Sequence, residues 1–297
     1  MLSELKELWK FRELLITMVQ RDLKIRYKNS ALGFFWSLLN PLLTVMVMTF
    51  VFQNFMGVKV ENYSAYILAA YLPFIFFQNC LLDSAQTILV AMPLIKKIYF
   101  PREILPLAAV ISNFINFMLS MLVFFAYMLV IYLLFPGANG ERVWPFQIGS
   151  FLLPVLFLIS FCLACGLSFI VSAFNTFYED VKYILGVLLY LLFFLCPIVY
   201  FSELVANTPL NHTYHGWVYK LYHLNPVAEL SVAYRKLLLA PVKVPTGFDP
   251  VTKETLYIAA QPLDWRYLTI AAVASFGILL LGYRTFNNLK WRFVERP

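Results

Sequence analysis

Charge is scarce in this sequence. Asp, Glu, Lys and Arg make up 13% of the 297 residues, where soluble domains carry roughly 25%. So little polar surface cannot cover a globule in water, which excludes the soluble two-domain protein that the length would otherwise permit. No G-x-x-x-x-G-K-[ST] loop occurs, so the chain has no P-loop of its own. Cysteines number four, and Cys80, Cys162, Cys165 and Cys196 all lie in apolar stretches. The CxxC spacing of Cys162 and Cys165 has no base or cation beside it to activate a thiol. Small residues at a helix–helix contact is the better reading. Histidines number three, and His212-x-x-His215 with His223 beyond has loose metal-ligand spacing. No cysteine or clustered carboxylate accompanies them, so no metal is expected. Residues 1–28 alternate charge with hydrophobe and carry no cleavable leader pattern.

What is abundant is apolar mass. Hydrophobic residues make up 61%, phenylalanine alone occurs 29 times, and the mean hydropathy is +0.74. Runs without Asp, Glu, Lys or Arg cover 29–58, 62–82, 104–140, 143–178, 183–202 and 267–283. A helix needs about 20 residues to cross the hydrocarbon core, so each run holds one span. Pro136-Gly137 ends the third helix and Trp144-Pro145 delays the fourth. The last run is the shortest, but Arg266 and Arg284 can snorkel from its ends. The expectation is an all-α membrane protein with six transmembrane helices, forming a single domain over 1–297. The net charge of +7 sits beside the apolar runs, where it meets lipid headgroups and orients the chain, so nucleic acid is not an expected partner. With both termini on one side, that side's short segments hold 15 Lys and Arg residues, against Lys59 and Arg142 in the opposite short loops. Both termini are therefore expected in the cytoplasm.

Residues 203–265 carry charge, six prolines, all the histidines and many tyrosines. Short re-entrant or interfacial helices are expected there, with 228–239 the most helical part. Tyr214, Trp217, Tyr219 and Tyr222 suit an interfacial aromatic belt, and would also suit stacking on sugar rings. At the N-terminus Leu5, Leu8, Trp9, Leu15, Ile16 and Val19 recur near helical spacing, which predicts an amphipathic helix in the cytoplasmic interface or against a partner. The spans themselves are nearly free of ionisable groups, Asp83 near the end of the second being the exception and expected to face the interface. Ion-driven carriers need such groups. Any uphill transport is then powered by another subunit. Two segments offer that subunit a hold. Pro93 can start a short helix that Pro101 stops, with Lys96 and Lys97 on its wet side and Ile95, Ile98 and Tyr99 for apolar contact. The turn 175–182 presents Glu179 and Asp180 to a basic partner. Aromatics Phe35, Phe52, Tyr190, Phe194 and Tyr200 lie in or beside spans, where some could line a conduit against the C–H faces of sugars.

Several motifs in order then carry a resemblance that covers nearly the whole chain. Arg21-Asp22-Leu-Lys24-Ile-Arg26-Tyr27-x-x-Ser30-x-Leu32-Gly33-x-x-Trp36-x-x-x-x-Pro41 resembles the lead-in to the first span of ABC-type polysaccharide export permeases, the O-antigen, capsule and wall-teichoic-acid exporters. Leu94-Ile-Lys96-Lys97-Ile-Tyr99-Phe100-Pro101-Arg102-Glu103 is similar to their cytoplasmic coupling helix. Phe174-Asn175-x-x-Tyr178-x-Asp180-Val181-Lys182-Tyr183 is similar to their second cytoplasmic turn, and Pro197-Ile198-Val199-Tyr200 to the end of their fifth span. Leu224-Asn225-Pro226 with Tyr234-Arg235 resembles the segment between spans five and six. The resemblance implies a homodimer paired with two copies of a separate ATPase that binds ATP and Mg. The implied substrate is a lipid-linked glycan or polyol-phosphate polymer, and the implied place the bacterial cytoplasmic membrane. It implies a cytoplasmic gate at Arg21, Lys24, Arg26, Tyr27, Gly33 and Trp36. It further implies an ATPase seat at Ile95, Lys96, Lys97, Tyr99, Pro101, Arg102, Glu179 and Asp180, and outer gate helices within 203–265. Two features depart from the pattern: Glu179 stands where a basic residue is more often expected, and 240–265 lengthens the outer segment. The alternatives are a related permease for a drug or simple lipid, and a membrane-embedded transferase. The transferase would need clustered carboxylates or histidines on the cytoplasmic side, and the only histidine cluster is expected on the other.

Overall fold

A computed structural model describes residues 2–27, 35–58, 60, 62–134, 146–248 and 255–295. Gly33, Lys59, Arg142, Pro136-Gly137 and Trp144-Pro145 lie outside the described residues, as do the side chains of Tyr27 and Phe35. The chain begins with α1 (Leu2–Lys10) and α2 (Arg12–Tyr27). The single N-terminal helix expected is thus two, joined at Phe11. Its second half does more than lie on a surface: Met18 and Val19 are buried where α2 packs against the third long helix.

The apolar helices follow as α3 (Phe35–Asn54), α4 (Tyr63–Val90), the one-turn α5 (Met92–Ile95), α6 (Ile104–Leu134), α7 (Leu153–Phe177) and α8 (Val181–Leu195). A 3-10 turn at Ile148–Leu152 leads into α7. Between α8 and the last long helix lie α9 (Ser202–Ala206), α10 (Pro209–Thr213), α11 (Trp217–Leu224), α12 (Pro226–Leu238) and a hairpin of β1 (Val244–Phe248) and β2 (Thr255–Ile258). The chain closes with α13 (Trp265–Leu289) and a 3-10 segment, Lys290–Glu295.

Among the described residues four helices are long and apolar enough to cross a membrane: α4, α6, α7 with its 3-10 turn, and α13 with the start of its own. Leu39–Asn54 of α3 and α8 are shorter apolar helices. The last span, the weakest in the sequence, is a 25-residue helix, because Arg266 and Arg284 fall within it rather than bounding it. The short member is α8, whose 15 residues rise about 22 Å. Its apolar run continues to Ser202, but Pro197 removes a donor and the helix stops at Leu195.

One hairpin is added to the expected all-α fold. Val244 pairs with Ile258 and Phe248 with Thr255, antiparallel, with an irregularity between Pro245 and Gly247. Pro245 lies within β1, but in a two-stranded ribbon its missing N–H costs no central ladder bond. Residues 228–239 do form a helix, α12 in its larger part: every residue from Val227 to Arg235 is buried, and α12 lies against α4 and α13.

The core centres on α4, which packs against α3, α6, α7, α8 and α12. An aromatic cluster joins α4, α6, α7 and α12, with Phe76 stacked on Phe117 at 4.9 Å and Phe117 edge-on to Phe157 and Tyr234. The most extensive helix pair is α7 with α13, held close by glycine. A Cβ on Gly282 would come within 2.1 Å of the Gly166 carbonyl oxygen. In lipid such close approach replaces the missing hydrophobic drive between helices. Outward faces of α6, α8 and α13 expose Leu122, Leu133, Val187, Leu188, Val273 and Leu281, a surface suited to lipid or to a second copy.

Gly282→Val should therefore separate α7 from α13 and cost about 1–3 kcal/mol or more, read as a lowered unfolding midpoint of the detergent-solubilised protein. Gly277→Ala, where a Cβ meets nothing within 4 Å, should leave the midpoint unchanged or raise it. Equal midpoints for the two variants would remove this account of the interface.

Candidate functional site

The two ends of the bundle differ in chemistry. Tyr99 donates to Glu7 at 3.0 Å and Lys290 to Glu103 at 2.5 Å, so both termini meet at the end where α4 leads into α6. There α2, α4, α6 and α8 border an open groove of about 730 Å³ lined by Arg21, Asp22, Arg26, Asp83, Gln86, Thr87, Ser112, Lys182 and Tyr183 among others. Arg26 spans its floor, donating to Asp83 at 2.5 Å and to Asn113 at 2.9 Å, while Asn113 also donates to Asp83 at 2.8 Å. Asp83, expected at the interface, is instead held in this three-way contact, about seven residues inside α4. Arg21 pairs with its neighbour Asp22 at 2.8 Å. Lys24 lines a second, shallower recess of about 530 Å³ with Thr17, Gln20, Arg21 and Ile25. Trp36 is exposed at the start of α3. Of the residues read as a cytoplasmic gate, Arg21 and Arg26 thus share one groove, Lys24 borders it and Trp36 stands apart.

The segment after α4 divides its side chains in two. Lys96, Lys97, Ile98 and Tyr99 are exposed, whereas Ile95, Phe100, Pro101 and Glu103 are buried. Ile95 therefore packs into this chain's own core and offers nothing to a partner, which corrects its place among the contact residues. Pro93 at N1 starts α5, and the backbone of Lys96, Lys97 and Ile98 closes the turn on Met92 and Leu94. Arg102 also turns inward: it donates to the Lys290 carbonyl and lies over the Trp291 ring at 5.9 Å. In the second turn, buried Asn175 donates to the Ala85 carbonyl at 2.7 Å and accepts from the Lys182 amide at 3.0 Å. That one amide fixes the α7–α8 turn to α4 and leaves Tyr178, Glu179 and Asp180 on the surface.

The far end is organised by a buried arginine. Arg235 of α12 is 3% exposed. It donates to the carbonyls of Tyr66 (3.0 Å), Tyr200 (3.1 Å) and Ile198, and to the Tyr66 hydroxyl (3.1 Å). Its guanidinium lies 3.8 Å from the Tyr66 ring centroid. Tyr63 adds a bond to the Val199 carbonyl at 2.5 Å. Three consecutive carbonyls of the Pro197-Ile198-Val199-Tyr200 turn are thus satisfied by side chains from α4 and α12. Burial lowers the Arg235 pKa, so these acceptors and the ring face must replace its water. Asn225 caps α12, accepting from the Val227 amide at 3.1 Å with Pro226 at the first helical position, which explains Leu224-Asn225-Pro226 as a helix start.

A cavity of about 100 Å³ is lined by Arg235, Glu203, Lys236, Gln261 and the segments on either side of the hairpin. Burial pushes Glu203 up, but Lys236 at 3.2 Å together with hydrogen bonds outweighs it, and the carboxyl is held below the usual range. His223 of α11 meets Glu229 of α12 at 2.5 Å, both buried. Burial raises the Glu229 pKa, with His223 opposing. His223 is therefore bound to a carboxylate and framed by Tyr219, Tyr222 and Tyr267. Among the described residues no three metal-ligating side chains come together.

Among the described residues the aromatics read as conduit candidates, Phe52, Tyr190, Phe194 and Tyr200, lie at separate places, and the Phe35 side chain lies outside them. Tyr190 and Phe194 stack edge-on at 5.2 Å on the exposed face of α8. Phe52 packs on Tyr63 at 6.3 Å, and Tyr200 donates to the Leu195 carbonyl at 3.1 Å at the far end. Sequence reasoning missed Tyr63, Tyr66, Asn113, Glu103 and Lys290. A polar side chain inside an apolar run was the available signal for the first three.

Arg235→Lys removes the fork that reaches several carbonyls at once. It should cost at least about 1–3 kcal/mol and raise amide hydrogen exchange across α8's end and α12. Tyr63→Phe should cost about 1 kcal/mol. Unchanged exchange in Arg235→Lys would show that the turn is held by something else.

The sequence matches those of known proteins along most of its length. The family model described as "ABC-2 type transporter" matches residues 13–239. An O-antigen export system permease protein RfbA from Klebsiella pneumoniae is 27% identical over 283 residues, 95% of this chain and 94% of its own. One from Myxococcus xanthus, likewise described as an O-antigen export system permease protein RfbA, is 31% identical over 237 residues, 80% and 84% of the two chains. This multi-pass helical membrane protein belongs to the ABC-2 type transporter family.

Proposed function

We propose that this chain is the transmembrane subunit of an ATP-driven exporter that moves a lipid-linked polysaccharide or related polymer across the bacterial cytoplasmic membrane. The observation that carries the reading is the correspondence over 95% of the chain with a protein described as an O-antigen export system permease. ATP and Mg bind on a separate ATPase subunit, and this chain performs no chemistry. Six helices span the membrane, with α3 and α8 as its shorter crossings, and both termini are cytoplasmic. Fifteen Lys and Arg residues near that side support the orientation.

Two copies of the chain work with two copies of the ATPase. The exposed α8 face with Tyr190 and Phe194 lacks a lining partner within one copy, so the conduit forms against the second. Lys96, Lys97, Ile98 and Tyr99 are the exposed seat for the ATPase, helped by Glu179 and Asp180 at the second turn. Arg21 and Arg26, at the groove of about 730 Å³, guard the cytoplasmic mouth, where cations favour an anionic lipid carrier. α9 to α12 close the outer mouth, with Arg235 fixing the closed arrangement.

Reversing both charges in Lys96→Glu/Lys97→Glu, or replacing Tyr99 with Ala, should abolish co-purification with the ATPase or substrate-stimulated ATP hydrolysis. Retained assembly and stimulation would dismiss the seat. Cells lacking the chain should accumulate lipid-linked glycan inside and lose surface polymer. A surface unchanged in polymer but depleted of a simple lipid or drug-efflux capacity would favour the permease for small substrates.

A further inference from the structure

The exporter reading gives the ATPase a seat at 96–99 and the outer gate a closure at α9–α12, but no linkage between them. One contact at the terminal end answers to that need. Glu103, the first residue past the Pro101-Arg102 bend, is 2% exposed, and its carboxylate meets Lys290 at 2.5 Å. Arg102 beside it donates to the Lys290 backbone carbonyl. Adjacent residues of the coupling segment therefore hold both the side chain and the main chain of Lys290, at the point where α13 ends.

From there the path is rigid. Phe293, fully buried, packs on Phe286 and on Phe177, the last residue of α7. α13 runs unbroken to Trp265 with Gly282 seated on Gly166, which leaves no slack for sliding past α7. At its other end Tyr267 faces His223 of α11 at 5.2 Å, and α13 packs along α12. An ordinary surface ion pair would carry little. Here the Glu103 carboxylate is buried and Lys290 half-buried, so breaking the pair leaves a buried charge unpaired, and the pair moves as a unit with the elements it joins.

We propose that Glu103 and Lys290 are positioning residues that tie the ATPase-coupling segment to the sixth span, so that α13 carries the ATPase's movement to the outer gate. The inference rests on the exporter reading for its input and output, while the linkage itself is read from a label distance that needs no substrate. The complex of the chain with its ATPase is reconstituted in liposomes, with spin labels at N62C and W265C in a cysteine-free background. In the otherwise unaltered protein the label distance should change on trapping with ATP and vanadate. In Glu103→Gln/Lys290→Met, which leaves no unpaired buried charge, assembly and basal ATP hydrolysis should persist. The distance change should vanish, and polymer exported per ATP should fall by about tenfold. The exchange Glu103→Lys/Lys290→Glu should restore both, and it carries the test if the neutral variant fails to assemble. A distance that ignores ATP in the unaltered protein, a neutral variant that couples normally, or an exchange variant that stays uncoupled would overturn the linkage. An ATP-driven distance change without any polymer export would uphold it and fail the exporter reading instead.

Discussion

Arg235 is the interaction on which the far end of this protein depends. α8 is too short to carry its apolar run to the end, and Pro197 forces the chain into a turn beside the hydrocarbon layer. Backbone carbonyls left bare there are costly, since no water reaches them. Arg235 and Tyr63 satisfy the three carbonyls from Ile198 to Tyr200, and Arg235 also binds the Tyr66 carbonyl of α4. The turn, α4 and α12 thus share one guanidinium. A charge that would be prohibitive alone becomes the clamp of the outer helices, because its surroundings supply acceptors and an aromatic face.

The remaining charges are placed so that the interior stays neutral. Arg26, Asp83 and Asn113 form one cluster near the terminal end, Glu103 and Lys290 another, and Glu203 with Lys236 a third at the opposite end. Each ties different helices together: α2 to α4 and α6, the start of α6 to the end of α13, and α9 to α12. Between them, among the described residues, lies a packed middle of aromatic and small residues. A protein so built responds to forces applied at its ends, which fits a permease driven by a separate ATPase.

Much of the fold was legible in composition. The long runs without charge marked every apolar helix, and the Lys and Arg bias grouped the terminal segments that the structure brings together. The boundaries were less legible. Arg266 and Arg284 concealed the length of α13, because an uncharged run undercounts a helix whose ends tolerate snorkelling side chains. The uncharged run after α8 overcounted it, because an apolar turn held by Arg235 looks like helix until its hydrogen bonds are traced. Pro245 concealed the hairpin.

For the site, the sequence by itself determined which residues could be exposed at the ends of the spans, since Lys96, Lys97, Glu179 and Asp180 cannot enter lipid. It also pointed to an external drive, since the spans are nearly free of titratable groups, Asp83 of α4 being the exception. Tertiary structure decided which of the motif residues turn inward. Ile95 adjoins exposed Lys96 and Arg102 lies three residues past exposed Tyr99, yet one is buried and the other binds Lys290. The direction of Arg102 depends on Lys290 at the end of α13, nearly two hundred residues later in the chain. No local pattern of hydrophobicity or charge encodes such a pairing, because it exists only once the helices have packed.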